Sequence, residues 1–490
     1  MPTTRKPTGA FNKVKVRMYR GGTGDFFLLQ FMRGRTVGFK VMIDCGCISA
    51  GAAYFEERLE DLVATTKGVI DLLIVTHEHA DHINGFEKAS AIFAKIEFKK
   101  VWFAWTENDQ DELANDFRKN KSELDKALHL AVAKLTALKK EGYYKKQFAK
   151  EENGNLLLGA KEHFIASVEH LAALTPVMGA KARSGKVKPT MVELLTSWKV
   201  IKSKTEVEFL EPGDVKSRLT GAIGLRFYVL GPPKDENALN RTESHEGNYG
   251  KRETPSQRDF AFVSALLCTD KGSVDEVLPF EGHYEDGNQV QQGIYKEEDW
   301  RTIDYDWLYS VGQLAMRYER SINNTSLALA IQLESSENIL LFPGDAELGS
   351  WESWHKGLSW PVWLKGELVR KRMDYLLEKT VFYKVGHHMS QNGTATEKGI
   401  QLMTSDELTA MVPLDFRKIN KGWLNTMPND LLAQDLMRLT KGKLYFSGET
   451  SKLLTAIKTK RVKIKKEYER ECVRLNKPFD KMLYVECEIS

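Results

Sequence analysis

Val69-Ile70-Asp71-Leu72-Leu73-Ile74-Val75-Thr76-His77-Glu78-His79-Ala80-Asp81-His82 reads as a buried strand that runs straight into three imidazoles and a carboxylate. Strand side chains alternate faces, so His77 and His79 leave the strand on the same side. The turn into a following helix brings Asp81 and His82 round to join them. Neutral imidazole and carboxylate suit Zn²⁺, with Mn²⁺ as the alternative, and the His-x-His-x-Asp-His spacing supplies two ligands to each of two adjacent ions. The bland reading is an exposed polar loop, because such a cluster repays burial poorly without a metal.

Outward from this stretch, the chain repeats the pattern of a strand ending in a ligand-type residue. Val14–Tyr19, the Gly-rich turn Gly21–Asp25 and Phe26–Phe31 predict a hairpin, and Phe39–Ile43 predicts a strand ending in Asp44. Residues 52–67 predict a helix. Ser326–Leu333 and Asn338–Phe342 predict strands, the second ending in Pro343-Gly344-Asp345, and Val381–Gly386 predicts another that ends in His387-His388. Side chains far apart in sequence can thus converge on one rim of packed sheets, as expected of an α/β fold.

Two stretches interrupt the pattern. Leu124, Leu128, Val132, Leu135 and Leu138 stand at helical spacing, which predicts a helical insertion over 109–204. Residues 235–319 are polar and too long for an ordinary connection, which predicts a lid, a functional loop or partial disorder. The expected organisation is therefore an N-terminal half over 1–108, core strands over 205–234, a C-terminal half over 320–420 and a basic helix-and-strand extension over 421–490. In that extension Lys458, Lys460, Arg461, Lys463, Lys465 and Lys466 read either as a track for a nucleic-acid backbone or as a solvated face.

Composition is that of an ordinary globular protein: 490 residues, 42% of them hydrophobic, give enough chain for a large core. A net charge of +4 permits a polyanionic substrate without requiring one. The cysteines Cys45, Cys47, Cys268, Cys472 and Cys487 are odd in number and lack zinc-ribbon spacing, so the expected compartment is a reducing cytoplasm. Met1–Lys13 has no apolar core and no 18-residue apolar run occurs anywhere, so neither a signal peptide nor a membrane partner is expected.

These motifs together resemble the metallo-β-lactamase-fold hydrolases. Asp44 matches that superfamily's first motif, His77, His79, Asp81 and His82 its second, Asp345 its bridging aspartate and His387-His388 its last metal-binding histidine. Gly22–Asp25, Asn323–Leu327, Leu341–Asp345 and Lys384–Ser390 are most similar to the hydrolase domain of competence DNA-uptake channel proteins and to phosphorylcholine esterase. The likeness covers about 14–105, 205–233 and 320–415. It implies a four-layer αββα sandwich and two Zn²⁺ ions, with His77 and His79 on the first, Asp81 and His82 on the second, and Asp345 between them. A metal-bridging hydroxide then serves as the nucleophile. His388 is expected to complete the second site, while His387 donates a hydrogen bond to a phosphoryl oxygen or leaving group; the reverse assignment is the alternative. Asp44 is expected to hydrogen-bond a ligand histidine from behind, or to form the turn at the strand end.

Two departures from the family pattern stand out. Gly231 occupies the position of a third metal-binding histidine, so water completes that site or an insertion histidine does, from among His163, His170, His245 and His283. Met389 replaces the glycine of the relatives' His-His-Gly-Ser. Lys384 either points to the site and binds substrate phosphate or points outward from its strand. Asp25, Asn323 and Asn324 read as turn residues or as substrate contacts.

The resemblance implies a metal-dependent phosphodiesterase, most simply a nuclease, with Asp81 and His387 in the catalytic machinery and a nucleic acid or other phosphodiester as partner. Hydrolysis of a small ester, lactone or phosphocholine-type substrate is the second expectation. A non-catalytic, metal-binding component of a complex is the third.

Overall fold

Leu225–Gly231, Ala328–Leu333, Ile339–Phe342, Thr380–Lys384 and Thr409–Val412 are buried at every position, the pattern of a sheet that is covered on both sides. The computed structural model describes residues 10–48, 50–119, 121, 189–240, 322–419, 427–459, 463–476 and 482–490. The helical pattern at Leu124 to Leu138, the polar insertion beyond 240 and the histidines His163, His170, His245 and His283 lie outside the described residues.

Among the described residues, two mixed seven-stranded sheets carry the fold. The first contains β1 (Lys13–Tyr19), β2 (Phe27–Arg33), β3 (Thr36–Ile43), β4 (Val69–Ile74), β5 (Glu97–Ala104), β6 (Glu206–Leu210) and β16 (Tyr484–Ile489), in the order β16-β1-β2-β3-β4-β5-β6. The second contains β7 (Val215–Ser217), β8 (Leu225–Gly231), β9 (Ala328–Leu333), β10 (Ile339–Phe342), β13 (Thr380–Lys384), β14 (Thr409–Val412) and β15 (Leu444–Phe446), in the order β15-β14-β13-β10-β9-β8-β7. A separate hairpin joins β11 (Trp360–Leu364) to β12 (Glu367–Lys371).

Three apolar layers hold these elements together. Phe27, Leu29, Val41, Ile43, Leu72 and Ile74 of the first sheet meet Phe227, Leu329, Ile331, Leu340 and Phe382 of the second. The opposite face of the first sheet, with Leu28, Met42 and Leu73, packs on Phe55, Leu59 and Leu62 of α1 (Ala52–Thr66) and on Ile83 and Phe86 of α2 (Ala80–Lys88). Tyr228, Ala330, Leu341, Tyr383 and Val412 face outward from the second sheet onto Trp351, Trp354, Leu376 and Leu436, which belong to the helices Leu348–Trp354, Met373–Glu378 and Asp430–Leu439. Each large side chain removed from water in this way contributes about 1.5–3 kcal/mol. The segment expected to be a C-terminal extension is built into both sheets: β15 pairs with β14, and β16 pairs antiparallel with β1.

Register decides where the loops open. β2 is antiparallel to β3 while β3, β4 and β5 are parallel, so Phe27, Ile43, Ile74 and Trp102 stand side by side. The loop before β2 and those after β3 and β4 therefore share one edge. In the second sheet Leu341 pairs with Tyr383 and Lys384 with Met411, which gathers the loops after β10, β13 and β14. The two edges are stitched by Leu327 N donating to Thr76 O at 2.9 Å and Asp415 N donating to Gly22 O at 3.0 Å.

Gly46 lets this rim close. Its amide donates to Asp25 O at 2.8 Å, the Asp25 amide donates to Asp81 O at 3.0 Å and Cys45 N donates to His82 O at 2.8 Å. A Cβ on Gly46 would lie 2.0 Å from the Asp81 carbonyl carbon and oxygen. Gly46→Ala is therefore expected to destabilise the protein by about 3 kcal/mol or more and to displace the His77–His82 loop. Gly51→Ala, with nothing within 4 Å of its added Cβ, is expected to cost no more than about 1 kcal/mol. Urea titrations of the two variants measure the contrast; equal stabilities would contradict it.

Candidate metal centre

β4 ends at Ile74, and Thr76 then turns the chain through His77 and His79 into α2, whose first turn carries Asp81 and His82. A carboxylate in a first helical turn is favoured by the unpaired amides there. All four side chains are buried. Asp44 stands at the end of β3 with φ 54 and receives three hydrogen bonds: from Thr76 N at 2.8 Å, from Thr76 Oγ1 at 2.6 Å and from His82 Nδ1 at 2.7 Å. Thus Asp44 both shapes the strand end and fixes the His82 ring. With Nδ1 donating to Asp44, His82 turns Nε2 to Asp345 Oδ2 at 3.1 Å.

The second sheet contributes from three strand ends. Asp345 follows β10; His387 and His388 follow β13. His388 receives its orientation from the end of β14, where Pro413 O accepts from Nδ1 at 3.1 Å. Its Nε2 then lies 2.9 Å from Asp81 Oδ2 and 3.3 Å from Asp345 Oδ2. His387 instead turns Nε2 to within 3.4 Å of Asn323 Nδ2, and its Nδ1 lies 3.7 Å from Glu347 Oε1. Of the pair, it is His388 that stands among Asp81, Asp345 and His82.

The described residues hold one compact group able to bind a metal ion: Asp25, His82, Asp345 and His388, whose ligand atoms lie within 4.8 Å of one another. Sequence reasoning missed Asp25, which looked like turn chemistry in a glycine hairpin; its place at the mouth of the β1–β2 hairpin, on the same edge as Asp44, was the available signal. His77 and His79 stand beside the group, with His77 Nε2 3.1 Å from His79 Nδ1, and the His77 and His82 rings are 4.0 Å apart. Ser326 Oγ lies 3.2 Å from His77 Nδ1 and accepts from Asp345 N at 3.0 Å, tying the two sheets' contributions together.

Several other expectations change. Lys384 is buried and points inward: Nζ donates to Gly344 O at 2.8 Å and Asp345 Oδ1 at 2.9 Å and pairs with Asp25 Oδ2 at 2.7 Å. An ammonium has three N–H donors, and all are used, so neither an outward lysine nor a phosphate-binding one describes it. Asn323 and Asn324 are buried and act through their side chains, Asn323 donating to Glu347 Oε1 at 2.9 Å and Asn324 Oδ1 accepting from Glu347 N at 3.0 Å. A Cβ at Gly231 would sit 3.2 Å from Trp354 Nε1, so a side chain there would run toward the outer helix layer. Met389 has φ 67, a conformation natural to glycine, and follows His387 at φ 44 and His388 at φ 49. In the basic run, Lys458 pairs with Glu469 at 2.5 Å and Lys465 with Glu467 at 4.0 Å. Both lysines thus have carboxylate partners, while Lys460 and Arg461 lie outside the described residues.

The donor set fits a divalent ion. Asp81 Oδ1 is buried without a hydrogen-bond partner among the described residues, as is Asp25 Oδ1. Imidazole nitrogens that face each other and face carboxylates are the donors a Zn²⁺-type ion takes. In the metal-free protein, protons serve the same electrostatic purpose. Burial disfavours a charged His388, but Asp345 and Asp81 outweigh it and push the ring up to about 9. Burial likewise opposes a charged His82, and Asp345, Asp25 and Asp81 raise it well above its ordinary value. Burial raises Asp345, but Lys384, His82 and His388 hold it well below the usual carboxylate range.

No protein-family model and no curated protein matches the chain. No helix among the described residues is long and apolar enough to cross a membrane.

A pH dependence follows from the raised imidazole. Protonated His388 stabilises the metal-free fold fully below its ordinary value of 6.5, and that contribution disappears as pH rises through about 9. Metal binding requires the deprotonated ring, so metal affinity should increase over the same interval. Chelator-treated protein is expected to melt at a progressively lower temperature from pH 6.5 to 9, with added Zn²⁺ giving its largest stabilisation at the upper end. A thermal-shift series at fixed ionic strength checks this, and a flat metal-free profile would count against it.

Proposed function

We propose that this protein is a dinuclear metal-dependent hydrolase of phosphodiesters on a metallo-β-lactamase-type αββα sandwich. One observation carries the reading: His77, His79, Asp81 and His82 from the end of β4, Asp345 from β10 and His388 from β13 meet at one buried rim, each close to another member. Four imidazoles and two carboxylates are a donor set suited to divalent cations such as Zn²⁺, and Lys384 balances part of the carboxylate charge. His77 and His79 would hold one ion and Asp81, His82 and His388 the other, with Asp345, whose Oδ2 faces His82 and His388, as the bridge. Bound ions of this kind supply Lewis acidity and lower the pKa of an attacking water toward neutrality.

The chain's own residues perform the rest. Asp44 holds His82 in the tautomer that presents Nε2, and Pro413 O does the same for His388. His387, held beside Asn323 and Glu347, would donate to a phosphoryl oxygen or a departing alkoxide. The phosphodiester assignment draws on the motifs Gly22–Asp25, Asn323–Leu327 and Lys384–Ser390 and on their likeness to phosphodiester-cleaving relatives. The near-complete burial of His77, His82, Asp345 and His388 favours, as a second reading, a small ester or phosphocholine-type substrate over a polymer.

Metal-reconstituted protein is expected to bind about two equivalents of Zn²⁺ and to hydrolyse bis(p-nitrophenyl) phosphate, with Asp81→Ala inactive. His388→Ala should lose metal together with activity, whereas His387→Ala should keep metal while kcat falls about 10²–10⁴-fold. Activity on DNA and RNA beside phosphocholine esters separates the two substrate readings. Protein that takes up no metal after reconstitution would overturn both.

A further inference from the structure

Lys384 ends β13 with its ammonium enclosed between two carboxylates, and its side chain is 1% exposed. It takes one oxygen from each: Asp25 Oδ2 at 2.7 Å and Asp345 Oδ1 at 2.9 Å. Gly344 O accepts its third bond at 2.8 Å, and His387 N also donates to Asp345 Oδ1 at 3.2 Å. The other oxygens point elsewhere. Asp345 Oδ2 faces His82 Nε2 at 3.1 Å and His388 Nε2 at 3.3 Å. Asp25 Oδ1 is buried, has no hydrogen-bond partner among the described residues and lies 3.8 Å from His388 Nδ1. A buried carboxylate oxygen left without a donor is costly, and a cation removes that cost.

We propose that Lys384 is a positioning residue that makes Asp25 and Asp345 one-oxygen metal ligands, so that Asp25 joins the metal centre and Asp345 bridges through Oδ2 alone. The inference rests on the metal-binding reading above and deepens it. A carboxylate free to rotate can chelate one ion through both oxygens, filling a coordination position that a catalytic site keeps for water or substrate. The ammonium prevents this by occupying the second oxygen of each. It acts from behind the ligands, as hydrogen-bond partners of metal ligands commonly do.

Co²⁺ replacement of the metal tests the clamp, because the d–d absorption of Co²⁺ weakens as its coordination number rises. Three variants are loaded alongside the wild type: Lys384→Arg, which keeps the charge; Lys384→Met, which removes it; and Lys384→Met with Asp25→Asn, which removes the ammonium together with one of its two carboxylate partners and lessens the uncompensated charge. All three are expected to bind Co²⁺ about 10–100-fold more weakly by chelator competition. Lys384→Met is also expected to show weaker d–d bands as Asp345 chelates. If folded Lys384→Met keeps the wild-type d–d spectrum, whatever its affinity, Lys384 does not set how the carboxylates bind and the clamp is overturned. If the wild type itself takes up no Co²⁺ or Zn²⁺, the metal reading fails and the clamp falls with it, an outcome distinct from the first.

Discussion

A single buried carboxylate organises the rim. Asp44 gathers Thr76 N, Thr76 Oγ1 and His82 Nδ1, so one side chain ties the end of β3 to the end of β4 and to the first turn of α2. Burial raises its pKa, while the bonds from His82 and Thr76 lower it. The arrangement is mutually dependent: His82 is oriented only while Asp44 is fixed, and Asp44 is satisfied only while Thr76 leads into the histidine loop. The second sheet is drawn to the same place through Leu327 N and Thr76 O. The direction of the His82 ring is thus a property of both sheets.

The His387–Met389 turn shows what such a rim can sustain. Three successive non-glycine residues with positive φ each cost on the order of 1–3 kcal/mol, and they persist only where the surroundings over-determine them. Here the surroundings are Asp345 Oδ1 accepting from His387 N, Pro413 O accepting from His388 Nδ1, and Met389 O accepting from Asn429 N at 2.8 Å. Met389 is also buried in the outer apolar layer, among Trp351, Trp354 and Tyr383 of the same cluster. A side chain where glycine would be the relaxed residue therefore anchors the turn by packing.

Much of this was readable from the sequence. The α/β class, the strands that end in Asp44, His77, Asp345 and His387, and the proximity of those residues follow from local runs and from the rule that strand ends share a rim. What escaped local reading has physical causes. Lys384 closes β13, every residue of which is buried, so no alternation told which way its side chain points. Asp25 is preceded by glycines that already account for a turn, which masked the signal of its place on the same edge as Asp44. The β11–β12 hairpin carries only Gly366 as a local signal; its turn puts Lys365 and Gly366 both at positive φ, as a tight two-residue turn requires. β15 and β16 could not be placed because their partners lie far away in sequence, beyond what periodicity senses.

That last separation bears on how the molecule is made. Lys13 of β1 and Glu488 of β16 are hydrogen-bonded across 475 positions of chain. At a synthesis rate of about 5–20 residues per second, β1 emerges on the order of a minute before the strand that covers it. Until then its outer edge presents unpaired amides and carbonyls, with a sheet already apolar on both faces behind them. The first sheet and its histidine loop can take shape early in translation, but their border stays open to chance pairing until β16 arrives. A nascent chain of this protein is thus most exposed to mis-pairing and to chaperone capture at β1.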